Sequence, residues 1–365
     1  MRICFVSHAS NYHTKKWAEW FYAHGHEVHV ISFAYSEIPN VSVHTLSSNV
    51  ESNASDVKKL GYLTHGRKLR WIISEIGPDI INIHYASSYG ALAAISGIDD
   101  YILSIWGSDV YEFPEKSILH RGLLKYSLAR ASVLFSTSKA MAKQASKYTK
   151  KPFYITPFGV DMELFSPQKR VRETSEKDLI IGTVKALKPK YGIEHLIRAV
   201  ALIRKEHPEI PIKLRIAGKG EYEKVYKALA TDLGIEDITT WLGFISQDDV
   251  ALEWANMDIA VIPSESESES FGVSAVEAQA CGTPVIISDI PGLMEATDPG
   301  NSSIVVPRGN EREIANQIID LYKNPKKRHL IGKRGRIFVE ERFEIDRCFR
   351  DIERKYLEIV KKRDL

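Results

Sequence analysis

Two carboxylates stand on either side of a glycine in the second half of the chain, as Glu269, Gly272 and Glu277. The apolar run 257–262 ahead of them predicts a buried parallel strand, and apolar residues at helical spacing follow the glycine. A glycine at a helix start exposes backbone N–H groups, and the helix dipole there favours an anion. This stretch therefore predicts a site for a ligand with both phosphate and hydroxyl groups, features that a sugar nucleotide combines.

Two lysines, Lys185 and Lys190, stand in a loop that follows another predicted strand and precedes a helix. Ligands of open α/β sheets bind beyond the carboxyl ends of the strands, so both ammonium groups could reach a diphosphate. There they would stabilise the charge that builds on a departing nucleotide. A solvated basic loop is the simpler interpretation of this segment alone, and both interpretations stay open.

A pair of glycines follows the next predicted strand. Gly218 and Gly220 form a G-x-G without the third glycine of the dinucleotide-binding fingerprint, so the pattern alone predicts a tight turn. Its place after a strand also makes it a candidate seat for a nucleotide. Phe244, after the following strand, is a candidate contact for the base.

Two polar residues end neighbouring predicted strands in the first half of the chain. His84 ends the strand 80–84, and Asp109 follows the strand 101–106. A lone histidine is more often structural than functional. Asp109 could orient a histidine, bind a hydroxyl group or cap a helix.

The serine-rich run before Glu269 also contains Glu265 and Glu267, and alternating carboxylates raise the question of a metal site. No His or Asp neighbours them in the sequence, so a solvated loop without metal is expected. The three cysteines are scattered, which favours neither a disulfide framework nor a CxxC metal site. No P-loop, HExxH, GxSxG or kinase motif is present.

The composition is that of a globular protein with room for two domains: 365 residues, 44% hydrophobic and 26% charged. No apolar run approaches the roughly 20 residues of a membrane helix. The N-terminus is too short in apolar residues for a signal peptide, so a cytoplasmic protein is expected. The net charge of +2 argues against a nucleic-acid partner.

Strands and helices alternate along the chain, which predicts parallel sheets with helices on both faces. One alternating set occupies 1–165 and a second occupies 166–344, with a polar junction between them. A last predicted helix, 345–365, has an apolar stripe and must pack on another element. The fold class expected is α/β, with two Rossmann-like, doubly wound domains that face an interdomain cleft.

These positions together resemble the retaining glycosyltransferases of family 4, which have the two-domain GT-B fold. The resemblance covers nearly the whole chain, and its most specific part is Glu269-Ser-Phe-Gly-Val-Ser-Ala-Val-Glu277, similar to the E-x7-E motif of that family. Companion segments begin at Phe158, Leu214 and Ala278. The resemblance implies that the C-terminal helix packs on the N-terminal domain.

The resemblance also implies roles for individual residues. Glu277 would bind the ribose, Glu269 would hold hydroxyls of the transferred sugar, and the backbone at Phe271, Gly272 and Val273 would contact sugar and phosphates. Lys190 matches the lysine of the family, whereas Lys185 stands where arginine is commoner and so lacks the bidentate fork. His84 matches a strand-end histidine near the reacting sugar.

Two departures from the family pattern fall in the acceptor-side half. The glycine pair usual after the first strand is replaced by His8-Ala9-Ser10-Asn11, and Trp106-Gly107-Ser108-Asp109 stands where His-Gly-x-Asp is expected. Ser10, Asn11 and Asp109 are the acceptor-side candidates.

The function expected from the resemblance is retaining, metal-independent transfer of a hexosyl unit from a nucleoside-diphosphate sugar (a UDP- or GDP-sugar). The acceptor would be a hydroxyl of a glycan, glycolipid or small molecule in cell-surface polysaccharide or glycolipid synthesis, and the donor is a co-substrate rather than a cofactor. A sugar-nucleotide epimerase of the same fold and a non-catalytic nucleotide-sugar-binding protein remain alternatives.

Basic residues of the first half could draw that domain to the inner face of an anionic membrane, which would suit a lipid-linked acceptor. An ordinary soluble helix face is the other interpretation. These residues are Lys58, Lys59, Arg67, Lys68, Arg70, Arg121, Lys125 and Arg130.

Overall fold

The computed structural model describes residues 1–46, 64–171 and 178–363, and these form two compact units. The first unit takes Met1–Phe158 together with the chain from Cys348 onward. The second unit takes Gly159–Arg347. Lys58, Lys59 and residues 172–177 of the predicted junction lie outside the described residues.

The unit boundary falls after Phe158 rather than at residue 165 because Val160 is tied to the second unit. Its N–H donates to the carbonyl oxygen of Phe343 at 2.7 Å, and its own carbonyl accepts from the N–H of Ile345 at 3.0 Å. The chain after Phe158 therefore adds to the second unit before that unit's sheet begins.

The sheet of the first unit has the order β3-β2-β1-β4-β5-β6-β7, and the neighbouring strands pair in parallel. The order changes direction between β1 and β4, and the carboxyl ends of strands beside such a switch point are the usual place for a ligand. The strands are β1 (Arg2–Val6), β2 (Glu27–Ser32), β3 (Ser42–Thr45), β4 (Ile80–His84), β5 (Ile102–Ile105), β6 (Val133–Ser136) and β7 (Phe153–Ile155).

The helices of the first unit bury apolar faces against this sheet. The longest begin at side chains that cap them: the Asn11 side-chain oxygen accepts the N–H of His13 at 2.8 Å, and Ser117 accepts that of His120. The helices are α1 (Tyr12–Ala23), α2 (Gly66–Ile76), α3 (Tyr89–Ser96), α4 (Ser108–Tyr111), α5 (Ile118–Arg130) and α6 (Lys139–Ala145).

The sheet of the second unit is also parallel, in the order β10-β9-β8-β11-β12-β13. Its switch point lies between β8 and β11, so the loop that carries Lys185 and the loop that carries Glu269 leave adjacent strands. The strands are β8 (Leu179–Val184), β9 (Ile212–Ala217), β10 (Thr239–Gly243), β11 (Ile259–Ile262), β12 (Val285–Ser288) and β13 (Ser303–Val306).

Helices cover this second sheet, and the core between them is aliphatic, with Trp254 and Tyr226 as its largest buried side chains. The helices are α7 (Ile193–Glu206), α8 (Glu223–Asp232), α9 (Gln247–Asn256), α10 (Val273–Ala280), α11 (Pro291–Glu295), α12 (Glu311–Lys323) and α13 (Pro325–Phe343).

A last helix, α14 (Ile345–Arg363), packs on the first unit. The Phe349 ring lies 5.4 Å from that of Trp17, and Asn82 donates its side-chain N–H to the Tyr356 hydroxyl at 2.5 Å. Among the described residues, no helix combines the length and apolar character needed to cross a bilayer.

The prediction of two Rossmann-like α/β domains with parallel sheets is confirmed. The sequence analysis did not predict β3, α4 or α11. Among the described strands β3 pairs only with β2, at the edge of the sheet, and it lies half-buried, so its sequence lacks the apolar run of a central strand. The helices α4 and α11 are too short for a periodic pattern.

Candidate functional site

The loops after β8 and β11 bring an ammonium and a carboxylate into direct contact. Lys185 Nζ lies 2.8 Å from Glu269 Oε2, and both side chains are mostly buried. Lys185 also donates to the Ser274 hydroxyl at 3.3 Å, and that hydroxyl donates to the carbonyl oxygen of Val184 at 3.0 Å. The Lys185 side chain is thus held between the end of β8, the loop before α10 and the first turn of α10.

The charge of Lys185 is stabilised by its neighbours. Burial by itself would lower the pKa of this ammonium, but the attraction of Glu269, Tyr191 and Glu277 outweighs burial and raises the pKa above its usual value. Lys185 therefore keeps its proton at neutral pH. Glu277, mostly buried in α10, is close enough to contribute to this field.

Lys190 belongs to the same cluster and lies across from the loop that leads to Glu269. Its Nζ donates to the Ser268 hydroxyl at 3.4 Å and lies 5.2 Å from the centre of the Tyr191 ring, which Lys185 approaches to 4.9 Å. The Lys190 carbonyl accepts the N–H of Glu265 at 3.0 Å. Side-chain and backbone contacts therefore join the Lys190 segment to this loop.

Helix α10 begins directly after Gly272, whose φ of 74° lies in the left-handed region that favours glycine. A Cβ at this position would lie 2.9 Å from Cδ2 of Leu293, so the space is closed as well. The N–H groups of a helix's first turn have no partner inside the helix, so the turn from Val273 offers donors beside Glu269. The neighbouring Phe271 ring is buried against Phe343 at 5.4 Å.

The glycines after β9 have a structural reason that the sequence analysis did not find. A Cβ on Gly218 would lie 1.9 Å from the carbonyl oxygen of Lys185, and one on Gly220 would lie 2.2 Å from that of Leu187. The backbone of this turn therefore packs directly on the Lys185 loop. Both glycines position Lys185, whatever contact they make with a nucleotide.

Phe244 follows β10 and is 78% exposed. An aromatic ring at the carboxyl end of a strand with so much free surface is available to stack on a planar group. The structure gives it no ring contact among the described residues, which leaves its predicted role as a base contact a prediction.

In the first unit, His84 is fully buried at the end of β4. Three rings enclose it: Trp106, Trp17 and Phe5, with centroids at 4.4, 5.0 and 5.4 Å. Neither ring nitrogen has a hydrogen-bond partner among the described residues, and burial lowers the pKa of His84 to about 3. His84 is therefore a neutral imidazole.

Asp109 is fully buried, and backbone N–H groups occupy its carboxylate. It accepts from Ala86 at 2.9 Å, from Gly107 at 2.8 Å and from Trp106 at 3.2 Å. Burial raises its pKa, although these bonds oppose the shift. Asp109 thus organises the loops after β4 and β5, where Tyr85 adopts a φ of 80°, unusual for a residue with a side chain.

The loop after β1 carries the other acceptor-side candidates. Ser10 is exposed and its hydroxyl lies 3.0 Å from Nδ1 of His8, whereas the Asn11 side chain caps α1. The sequence analysis missed His13, whose ring stacks on Phe158 at 3.9 Å and meets Trp106 edge-on at 6.1 Å. A single histidine in the first turn of a helix carries no periodic signal, so only the fold shows this contact.

The fold also brings a histidine to the serine-rich loop, where none neighbours it in the sequence. Nε2 of His195, on α7, lies 2.5 Å from Oε1 of Glu265. Glu267 instead lies 3.8 Å from Arg308. No histidine is near these glutamates in the sequence, but the fold places one beside Glu265.

Of the basic residues that the sequence offers as membrane contacts, those that the structure describes lie on α2 and α5. Arg121 and Arg130 are paired with Glu115 at 3.7 Å and Asp99 at 2.7 Å. Beside Arg121, α5 begins with two exposed apolar residues, Ile118 (85% exposed) and Leu119.

The fold and site define a class of protein, and comparison with known sequences identifies the family. Residues 165–338 match the model described as "Glycosyl transferases group 1", and residues 2–138 match "Glycosyl transferase 4-like". The chain is 27% identical to an uncharacterized glycosyltransferase of Methanocaldococcus jannaschii, over 91% of this chain and 90% of that protein. This chain belongs to the group 1 glycosyltransferases.

Solved structures agree on the GT-B fold. Sucrose-phosphate synthase from Thermosynechococcus elongatus superposes with a TM-score of 0.85, at 19% identity, over 99% of this chain and 100% of the other. HepE of Anabaena in complex with UDP-glucose superposes with a TM-score of 0.80, at 19% identity, over 98% and 100% of the two chains. Several D-inositol 3-phosphate glycosyltransferases, 30–32% identical, match over only about half of their own length.

Proposed function

We propose that this enzyme transfers a hexosyl unit from a UDP- or GDP-sugar to a hydroxyl group of an acceptor, with retention at the anomeric carbon. The observation that carries the proposal is the contact between Lys185 and Glu269 at 2.8 Å, beside the start of α10 and Lys190. A protonated lysine and helix N–H groups suit a diphosphate, and a carboxylate suits sugar hydroxyls. The complex of HepE with UDP-glucose supports this class of donor.

In this proposal each side chain has one task. Lys185, Lys190 and the first N–H groups of α10 hold the diphosphate and stabilise the negative charge that grows as it leaves. Glu269 holds hydroxyls of the transferred sugar, and Glu277 binds the ribose. Because the cations come from the chain itself, the reaction proceeds without a catalytic metal.

Retention follows if the acceptor attacks from the face that the diphosphate leaves. The bond from the anomeric carbon to the phosphate oxygen breaks, the bond to the acceptor oxygen forms, and the acceptor proton passes to the leaving phosphate. Glu269 is already paired with Lys185, which makes it a poor candidate for the nucleophile of a double displacement. NMR of the first product formed reports the anomeric configuration directly.

The acceptor side is proposed to lie at the carboxyl ends of β1, β4 and β5, where His84 stands. Within the described ranges both nitrogens of this buried imidazole lack partners, an arrangement that costs stability and is retained most often where function requires it. The Trp106 indole N–H and His13 Nδ1 are likewise buried without a partner among the described residues. These groups would bind sugar-like hydroxyls, and the names sucrose-phosphate synthase and D-inositol 3-phosphate glycosyltransferase, given to two similar proteins, both refer to polyhydroxylated compounds.

A lipid-linked acceptor would require contact with a membrane, and the start of α5 suits such a contact. The exposed Ile118 and Leu119 lie beside Arg121 and Lys125, an apolar tip with a basic flank. In flotation with liposomes containing anionic lipid, wild-type protein should bind at low salt and an Ile118→Ser/Leu119→Ser variant should not. Absence of wild-type protein from the liposome fraction at any salt would refute the membrane contact.

The first experiment is a calorimetric panel of UDP-, GDP- and ADP-sugars with wild-type protein and Glu277→Gln. We expect one donor class to bind in the micromolar range, and the variant to bind it at least about tenfold more weakly, as a lost charged hydrogen bond implies. Failure of every nucleotide sugar to bind would overturn the proposal.

The alternatives separate in a second assay. A transferase releases the nucleotide when an acceptor is supplied, an epimerase changes the sugar without an acceptor, and a binding protein does neither.

A further inference from the structure

The strongest unassigned cluster lies outside the Lys185 site, where α7 meets the serine-rich loop. Nε2 of His195 is 2.5 Å from Oε1 of Glu265 and 3.7 Å from Oε1 of Glu194. One ligand atom from each of these three residues falls within 4.8 Å of the others. A central ion needs its oxygen and nitrogen ligands at about 2.0–2.2 Å. Both glutamates are half-exposed, so a change of rotamer can bring each carboxylate oxygen to that distance from an ion placed between the three residues.

The opposite side of the imidazole has the arrangement that accompanies metal-ligating histidines. Nδ1 of His195 faces Oε2 of Glu311, on α12, at 3.5 Å. This distance suits an ion pair but the geometry is not that of a hydrogen bond, so Nδ1 is buried without a bonded partner in the part of the chain that the structure describes. A carboxylate on one ring nitrogen orients the ring so that the other can bind a metal.

A buried hydroxyl gives a second, independent sign of a missing ligand. Tyr226, on α8, is only 1% exposed, and its hydroxyl has no hydrogen-bond partner among the described residues. Burial, together with the nearby charges of Glu194 and Glu265, raises the pKa of Tyr226 to about 12. An unpartnered buried hydroxyl that feels the charge of these two carboxylates suits a hydrogen bond to a water molecule on a bound ion.

The negative charge of this cluster also favours a bound cation. Three carboxylates, Glu194, Glu265 and Glu311, surround one imidazole that is 13% exposed. Among the described residues, no lysine or arginine lies within ion-pair distance of any of the three. A histidine offsets at most one of these charges, so the cluster remains anionic and attracts a cation.

We propose that Glu194, His195 and Glu265 bind a divalent cation that accepts mixed nitrogen and oxygen ligands, of the Zn²⁺ or Mn²⁺ type. His195 supplies Nε2 and the two glutamates supply carboxylate oxygens. Glu311 orients the imidazole. The ion is structural and takes no part in the glycosyl transfer proposed above.

Such an ion would join two segments that carry site residues. Glu265 lies in the loop that leads to Ser268 and Glu269, and its N–H donates to the carbonyl oxygen of Lys190 at 3.0 Å. His195 stands in the first turn of α7, directly after the Lys190 segment. A cation between them therefore fastens the Lys190 and Glu269 loops to each other.

The test uses tag-free, full-length protein that has been treated with a chelator and dialysed. ZnCl₂, MnCl₂ and MgCl₂ are titrated separately by calorimetry into wild type, His195→Gln and Glu265→Gln. We expect one Zn²⁺ or Mn²⁺ per chain, weakened at least about tenfold in either variant, as loss of one ligand implies. The melting temperature should rise with the ion in wild type and not in the variants.

Glu267→Gln is the matched control, because Glu267 lies in the same loop but faces Arg308. It should bind the ion as wild type does, and Zn²⁺ absorption spectra should show nitrogen and oxygen ligands. The proposal would be overturned if wild type bound neither Zn²⁺ nor Mn²⁺, or if His195→Gln and Glu265→Gln bound the ion as tightly as wild type. It would also be overturned if Glu267→Gln weakened binding as much as these two variants do. Donor binding is measured separately in the presence of chelator, so failure here leaves the transferase proposal intact.

Discussion

At the carboxyl ends of their strands, the second unit pairs its charges with one another, whereas the first surrounds its polar groups with aromatic rings. Lys185 and Glu269 form an ion pair beside hydroxyls and a helix start. His84 instead lies among Trp106, Trp17 and Phe5, and neither of its nitrogens is bonded to any residue that the structure describes. Each of these two regions lies at the carboxyl end of a strand beside the point where the strand order of its sheet changes direction.

The difference reflects what each surface can hold. The neighbours of Lys185 raise its pKa, so this region offers a lysine that stays charged at neutral pH, beside a carboxylate and a helix start. An imidazole inside aromatic rings is neutral, so it can offer only uncharged hydrogen bonds. In the proposed mechanism the second unit therefore holds a diphosphate, and the first holds hydroxyl groups on a ring-shaped molecule.

The largest expected effect tests the charged region. Lys190→Ala should lower kcat by about 10²–10³-fold, with only a modest rise in the donor Kd, because the lysine acts mainly on the charge of the transition state. Steady-state kinetics and calorimetry measure the two quantities.

Lys188→Ala is the control for Lys190, since this exposed lysine stands in the same segment. It should behave as wild type. Unchanged kcat in Lys190→Ala would remove this lysine from the proposed mechanism.

A second prediction tests whether the glycine turn positions Lys185. Gly218→Ala places a Cβ 1.9 Å from the carbonyl oxygen of Lys185 and must displace that loop. We expect a loss of about 1–3 kcal/mol in the free energy of unfolding and about a 10–100-fold loss of kcat. Chemical denaturation and kinetics give both values.

Gly300→Ala separates the clash from backbone strain. Gly300 also has a positive φ, 81°, but nothing lies within 4 Å of its Cβ position. Gly300→Ala should therefore have a somewhat lower free energy of unfolding than wild type and the same kcat. Equal loss of kcat in both variants would contradict the positioning role of Gly218.

A third prediction concerns the aromatic region. A histidine in an unfolded chain titrates near about 6.5, whereas burial lowers the pKa of folded His84 to about 3. Between these values the unfolded chain binds a proton that the folded one does not, so stability falls as the pH decreases. When the pH is lowered from about 7.5 to about 5, the free energy of unfolding of His84→Leu should therefore fall by about 2 kcal/mol less than that of wild type.

At pH 7.5 the same variant should be as stable as wild type, because the substitution removes two unbonded nitrogens. Its kcat should fall about tenfold through loss of one hydrogen bond to the substrate. Tryptophan fluorescence follows the unfolding. His329→Leu, an exposed histidine on α13, is the control and should change neither quantity. Full activity in His84→Leu would make His84 a structural residue.

The smallest expected effect is at Phe244. Phe244→Ala should weaken donor binding by about fivefold, without a change in melting temperature, because an exposed ring contributes stacking to a ligand and little to the core. Val225→Ala, another exposed apolar residue of the second unit, should leave the donor Kd unchanged. If Phe244→Ala had the same donor Kd as wild type, the nucleotide base would not stack on Phe244.

Much of this could be predicted from the sequence because the signals are local. Alternating apolar strands and helices indicate parallel sheets, and the positions of β2, β8, β13 and α12 are indicated by the spacing of their own apolar residues. The segment from Glu269 to Glu277 carries its own signature, a glycine at a helix start between two carboxylates. Such patterns depend on a few neighbouring residues, so no knowledge of the fold is needed to find them.

The contacts between distant segments were decided only by the tertiary structure. Gly218 predicts a tight turn on its own, and only folding shows that it packs on the Lys185 carbonyl. Asp109 is a candidate ligand in the sequence, but its carboxylate is occupied by backbone N–H groups of two loops. Neither the cage around His84 nor the meeting of His195 with Glu265 has a local pattern. Each joins residues that become neighbours only when strands far apart in the chain pair in one sheet.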